Sequence, residues 1–162
     1  MEMKFFNLRV YVGCSLTHAT EPFRQQVEAL KGELRTFCDV LCFLKIGDKA
    51  TPLQIYQHDI DNCVRQADLM LAITDLPSTG LGYEIATMIE AREGPLLAVA
   101  HTDALVTDLI LGIPRRGFRF ARYRDLLKDV PPLVYETLAK IQSERRGIQH
   151  YLPGFERHAY DI

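Results

Sequence analysis

From Leu69 the chain runs Leu-Met-Leu-Ala-Ile-Thr-Asp-Leu-Pro-Ser-Thr-Gly-Leu-Gly-Tyr-Glu-Ile, ending at Ile85. The apolar stretch Leu69–Ile73 has the length and content of a buried parallel strand. Behind it come Asp75, a Pro77-Ser78 turn, two glycines one residue apart and Glu84. Open α/β sheets bind ligands at the carboxyl ends of their strands. This segment would place there a serine hydroxyl, backbone N–H groups and one carboxylate. At the start of a helix, nearby N–H groups and the positive end of the helix dipole are expected to keep Glu84 ionised at neutral pH. An ionised, fixed carboxylate is what attack on an electron-poor sugar carbon requires. The plainer reading is a helix-stabilising glutamate in a capping box. That box needs Ser or Thr three residues earlier, where Leu81 stands. Gly80 and Gly82 would each cost roughly 1 kcal/mol against alanine inside a helix. They suit better a backbone that approaches a ligand or takes positive φ. Ser78 either donates to a sugar hydroxyl or phosphate, or simply closes its turn. A dinucleotide fingerprint fits poorly, because Ile85 occupies the place of its third glycine.

Other residues qualify less directly. Tyr11, Gly13, Cys14 and Ser15 end the first strand candidate, so they face the same crevice. A strand tyrosine serves either core or catalysis. Cys14 has no partner histidine in the local sequence and is not read as a nucleophile. Asp59 and Asp61 flank the apolar stripe of a helix, and at ~100° per residue either looks into the crevice or out to water. His58 reads as a surface residue. Arg115, Arg116, Arg119, Arg122 and Arg124 form either a phosphate site or a solvated or subunit-contact face.

The elements that must position these groups alternate along the chain. Strands are expected at Leu8–Val12, Val40–Phe43, Leu69–Ile73, Leu96–Ala100 and Phe118–Phe120. Phe23, Val27, Leu30 and Leu34 recur at helical spacing behind Thr20 as N-cap and Pro22 in the first turn. Thr51-Pro52-Leu53-Gln54 is a capping box opening a helix with the stripe Leu53, Tyr56, Ile60, Cys63, Val64 and Ala67. Leu81, Ile85, Met88 and Ile89 mark a third helix. Val134, Leu138 and Ile141, after Pro131-Pro132, mark the last. Such alternation predicts an α/β, flavodoxin-like three-layer sandwich with a five-stranded parallel sheet.

The 162 residues suit one domain, 1–162, with a tail from about 147 that carries proline, glycine and aromatics and is expected to meet a neighbouring subunit. A net charge of -2 gives no reason to expect nucleic-acid or membrane binding. The four cysteines include no C-x-x-C pair and read as reduced thiols of a cytoplasmic protein. No apolar run reaches the roughly 18 residues of a membrane span, and the Met-Glu-Met-Lys-Phe-Phe start is not a signal peptide. No metal or cofactor is expected.

Three blocks together resemble the nucleoside 2-deoxyribosyltransferase family, which includes the 2′-deoxynucleoside 5′-monophosphate N-hydrolases. They are Val10-Tyr11-Val-Gly-Cys-Ser15, Asp59 with Gln66-Ala67-Asp68-Leu-Met-Leu-Ala72, and Pro77-Ser78-x-Gly80-x-Gly82-Tyr83-Glu84. They span roughly the first 90 residues. The resemblance implies that Glu84 attacks C1′ of a deoxyribose to form a glycosyl-enzyme intermediate, released by a second base or by water. It makes Tyr11 the residue that orients this nucleophile and Asp59 the one that helps the leaving base take a proton. Ser15 and Ser78, with Gly13, Thr17, Gly80 and Gly82, would bind the sugar or its 5′ substituent. Two departures stand out. The spacing from Asp59 to Asp68 is one residue longer than the family pattern. Thr17 also replaces an arginine that the monophosphate hydrolases carry, removing a charge-assisted contact of roughly 1.5–3 kcal/mol. A free deoxyribonucleoside is therefore the expected substrate, with base exchange or hydrolysis as the reaction and a nucleobase as possible acceptor. His18 and the arginine cluster stand as substitute phosphate contacts. The alternatives are a 5′-monophosphate N-hydrolase and a nucleotide-sensing module without turnover. A cytokinin-type phosphoribohydrolase loop, P-G-G-x-G-T, fits less well, since serine and threonine follow Pro77. The implied assembly is a homo-oligomer acting in purine or pyrimidine salvage.

Overall fold

A computed structural model describes residues 4–43 and 50–145. Five parallel strands form one sheet in the order β2-β1-β3-β4-β5, namely β1 (Phe5–Cys14), β2 (Cys38–Leu41), β3 (Leu69–Ile73), β4 (Leu96–His101) and β5 (Phe118–Tyr123). This is the doubly wound order, whose direction of winding reverses between β1 and β3. The crevice above that reversal is where the topology leaves room for a ligand. Register there pairs Tyr11 with Met70 and Gly13 with Ala72.

Because strand side chains alternate, β1 sends Val10 and Val12 to one face and Tyr11 to the other. The first face carries α1 (Glu21–Leu34) and α5 (Leu126–Arg145), and it buries Val27, Leu30, Leu34, Val130, Val134 and Leu138 against Leu71, Ile73, Leu97 and Val99. On the second face Tyr11, Met70, Ala72 and Ala98 meet Ile60, Cys63, Leu81, Ile85 and Met88. Those residues come from the continuation of α2 (Pro52–Tyr56), from α3 (Thr79–Ala86) and, for Met88, from the turn Thr87–Ala91 that follows it. The small β3 and β4 side chains on this face let the helices approach closely.

Local chemistry sets the helix starts. Thr20 caps α1, and Thr51 with Gln54 forms a reciprocal capping box on α2. Two expectations are corrected. The second helix is α-helical only to Tyr56, then passes into a π-helical turn, Gln57–Cys63, and a 3-10 turn, Val64–Gln66. The wider turn rotates the apolar stripe, so Ile60, Cys63 and Val64 are buried while Leu53 and Tyr56 stand exposed. The last helix starts at Leu126, ahead of Pro131-Pro132, because Asp125 accepts from the N–H groups of Leu127 and Lys128. Residues from 146 onward, including the tail expected at a subunit contact, lie outside the described residues. Among the described residues no helix is long and apolar enough to cross a membrane.

Candidate active site

Glu84 sits on α3, and the strand below it makes room. A Cβ at Gly13 would lie 2.8 Å from Glu84 Oε2 and 3.1 Å from both Leu81 Cδ1 and Met70 Cε. The carboxylate therefore rests on bare β1 backbone. Any larger residue at position 13 would have to push it away. Tyr11, two residues earlier on the same face, is fully buried beside it.

The charge state departs from the sequence expectation. The Glu84 carboxyl is pushed up from 4.5 to about 7, first by burial; Tyr11 opposes the rise, and the Asp59 charge adds to it. Helix α3 begins at Thr79, so Glu84 lies beyond the first turn, where the dipole acts. Desolvation wins, and at neutral pH the group is divided between its two forms. The Tyr11 hydroxyl is pushed well above its ordinary value by burial, then by the charges of Glu84 and Asp59. It is buried, and no acceptor among the described residues meets it in hydrogen-bond geometry. Tyr11 and Glu84 are thus close neighbours without a formed hydrogen bond between them.

Asp59 reaches this cluster through the π-helical turn. Val64 N–H bonds to the Asp59 carbonyl, five residues back, so the turn holds one residue more than an α-helix would. The Asp59 charge bears on Tyr11, Glu84 and Cys63. Asp61 points elsewhere, to Arg65 at 3.2 Å. His58 is not the plain surface residue expected. It is half-buried, with Nδ1 2.9 Å from Asp59 Oδ1. The sequence signal for it was adjacency to a candidate acid, which carries no directional information until the π-turn is known.

Beside this cluster, at the carboxyl ends of β1 and β3, a cleft of about 310 Å³ is lined by Thr17, His18, Pro77, Ser78, Thr79 and Gly80. Gly80 lies one helical turn from Glu84 on α3, and the residues that line the cleft include none of Glu84, Tyr11 and Asp59. Ser78 is the N-cap of α3, its Oγ accepting from Leu81 N at 3.2 Å. Gly80 and Gly82 are not in the positive-φ conformation expected as one option; both are helical, with open space at a Gly82 Cβ and Ser78 Oγ 3.8 Å from a Gly80 Cβ. Ser15 is buried and donates to the Pro77 carbonyl at 3.4 Å, tying the two loops together rather than facing the cleft. Burial pushes the Cys14 thiol up to about 11, which fits a non-nucleophilic role.

A larger cavity, about 530 Å³, opens over the other face near Phe23, Asp75, His101, Tyr123 and Arg124. It contains none of Glu84, Tyr11 or Asp59. Asp75 is occupied there, accepting from His101 N at 2.6 Å and from the Tyr123 hydroxyl. The expected arginine cluster is dispersed: Arg115 pairs with Glu90, Arg119 with Glu136 at 2.9 Å, and Arg122 donates to the carbonyls of His101 and Ala104. Among the described residues no group of three or more His, Cys, Asp or Glu is arranged to hold a metal ion.

The fold and crevice define a doubly wound α/β domain with a buried acidic cluster at the winding reversal. Relatives sharpen this. The chain is 39% identical over 96 residues to a protein of Syntrophotalea carbinolica and 35% identical over 106 residues to one of Thermofilum pendens. Both are named "Putative 2′-deoxynucleoside 5′-phosphate N-hydrolase 1". The matches cover 58% and 64% of this chain; the chain spans 61% of the first relative's length and 67% of the second's. A solved CMP N-glycosidase of Clostridium botulinum shares the fold, with a TM-score of 0.59 and 19% identity over 78% of this chain and 97% of that one. No family model matches. The chain belongs to the nucleoside 2-deoxyribosyltransferase family.

The raised Glu84 carboxyl has a stability consequence. Below 4.5 both the folded and unfolded chains keep the proton. As pH rises towards 7 the unfolded chain releases it while the folded chain holds it, so stability is lost across that window. A displacement from 4.5 to about 7 corresponds to roughly 3 kcal/mol. Glu84→Gln is expected to raise stability towards urea at pH 8 by up to that amount, and to change it little at pH 4. An equal effect at both pH values would contradict the burial of this group.

Proposed function

We propose that this protein cleaves the N-glycosidic bond of 2′-deoxynucleoside 5′-monophosphates, with Glu84 as nucleophile. The observation that carries the reading is the Glu84 carboxylate seated on Gly13 with Tyr11 and Asp59 around it. Its ionised form attacks C1′ as the bond to the base breaks. Asp59 passes a proton to the leaving base as the oxocarbenium-like transition state forms. Tyr11 orients the carboxylate. Water then attacks C1′ of the glycosyl-enzyme, giving 2-deoxyribose 5-phosphate and restoring Glu84.

A 5′-phosphate is supported by the names of the curated relatives and by the cleft beside α3. Phosphate lodged there would meet Thr17, His18 and Ser78 at the positive end of the helix dipole. Gly80, which lines the cleft without a side chain, lets a sugar approach the backbone there. A second reading, a free deoxynucleoside as substrate, is favoured by Thr17 where the monophosphate hydrolases carry arginine. Transfer of the deoxyribosyl group to another base is the corresponding alternative to hydrolysis.

The test is base release from deoxynucleosides and their 5′-monophosphates, followed by chromatography, with and without a second nucleobase. A 5′-phosphate should raise kcat/KM, and a mass increase of one deoxyribosyl phosphate should appear on the quenched protein. No base released from any of these substrates removes the proposal. Gly13→Ala should lower kcat on the order of 100-fold, as expected for misplacing a reacting group by about an ångström; unchanged kinetics would mean the contact does not position Glu84.

The rate should also depend on pH with a definite sign. Protonated Glu84 cannot attack, so kcat/KM falls as pH drops below about 7. Tyr11→Phe removes an influence that lowers the Glu84 value and should move this acid limb to higher pH. Asp59→Asn removes a like charge and should move it to lower pH while slowing base release. Opposite displacements in a pH–rate profile would contradict the electrostatic scheme.

A further inference from the structure

We propose that His58 is a positioning residue: its imidazole fixes the Asp59 carboxyl in the orientation that delivers a proton to the departing base. The inference rests on the reaction proposed above and goes beyond it by adding a residue that the family resemblance does not supply.

His58 Nδ1 lies 2.9 Å from Asp59 Oδ1 and 3.8 Å from Cys63 Sγ. With Nδ1 as donor and Oδ1 as acceptor, the second carboxyl oxygen of Asp59 is left to carry the proton that passes to the base. The Asp59 side chain is 16% exposed and that of His58 34%, so the contact stands between the buried cluster and solvent. Exposed neighbours of this kind would be worth little; a donor to a mostly buried carboxylate constrains it strongly.

The backbone explains why neighbouring residues can meet this way. Side chains at i and i+1 diverge by ~100° on a regular α-helix and do not face each other. Here both residues lie in the π-helical turn, and Cys63, held by its own bond to the Cys42 carbonyl at 3.4 Å, lies against the same ring nitrogen. The turn that brings Asp59 to the site thus also brings His58 to Asp59.

The role has a chemical signature. Help to a leaving base matters only when that base must gain a proton. A base that departs without one, such as N7-methylguanine among purines or 5-fluorouracil among pyrimidines, should feel the loss of His58 far less. The experiment compares kcat for the 5′-monophosphate the protein hydrolyses fastest with kcat for its activated counterpart, in wild type, His58→Ala, His58→Asn and Asp59→Asn. His58→Ala should raise the activated-to-natural ratio about 10-fold, a part of the 10²–10⁴ typical of general acid catalysis. Asp59→Asn should raise it further. His58→Asn, which places an amide N–H close to the position of Nδ1, should restore most of the wild-type ratio.

A ratio unchanged in His58→Ala, with or without a general loss of rate, would overturn the proposal. If the ratio responds to Asp59→Asn but not to His58→Ala, this inference fails and the reaction stands. If the wild type releases no base from any substrate, both fail.

Discussion

One constraint organises the molecule: a carboxylate held out of water against a strand that has no side chain to exclude it. Glu84 can occupy that place only because β1 carries glycine at position 13, and its ionised form is disfavoured there because the surroundings are apolar. The sheet supplies Leu81's neighbour Met70 and the small Ala72 on the same face, which let α3 settle close. The desolvation that makes the group costly is also what makes it useful. A carboxylate stripped of water is a better nucleophile toward a developing cation, and one divided between its two forms near neutrality is still available to attack.

Around that constraint the secondary structure departs from regularity where the site needs it. The π-helical turn after α2 carries both His58 and Asp59 and closes on the Asp59 carbonyl, which accepts from Val64 N–H five residues on. It costs the apolar stripe its first turn, leaving Leu53 and Tyr56 exposed. A second π-helical turn, Thr87–Ala91, follows α3 directly after the residues that hold Glu84. Such insertions are concentrated at functional sites, and here both flank the acidic cluster. Elsewhere the chain obeys ordinary rules: capped helix starts, alternating strands and two separate apolar layers.

Much of this was legible in the residues. The strand at Leu69–Ile73, the cap at Thr20, the capping box at Thr51 and the stripe through Leu81, Ile85 and Met88 follow from period and end chemistry, which act locally. The approach of Gly13 to Glu84 was not legible, since it joins residues on different elements and depends on how closely α3 packs. The ionisation of Glu84 was misread because a dipole argument was applied beyond the first turn, and burial, a tertiary property, outweighs it. His58 was misjudged for a related reason: its direction depends on an i+5 backbone bond that a 3.6-residue period does not anticipate. Serine residues illustrate the same limit. Ser15 and Ser78 read alike in sequence, but one ties two loops together and the other caps α3 at the cleft edge.

The most direct measurement is the ionisation of Glu84 itself, followed by NMR through its ¹³C-labelled side-chain carboxyl and assigned by comparison with Glu84→Gln. A midpoint near 7 is predicted for the free protein. A midpoint at the ordinary 4.5 would mean that water reaches the group, and it would contradict the account of a buried, strand-seated nucleophile.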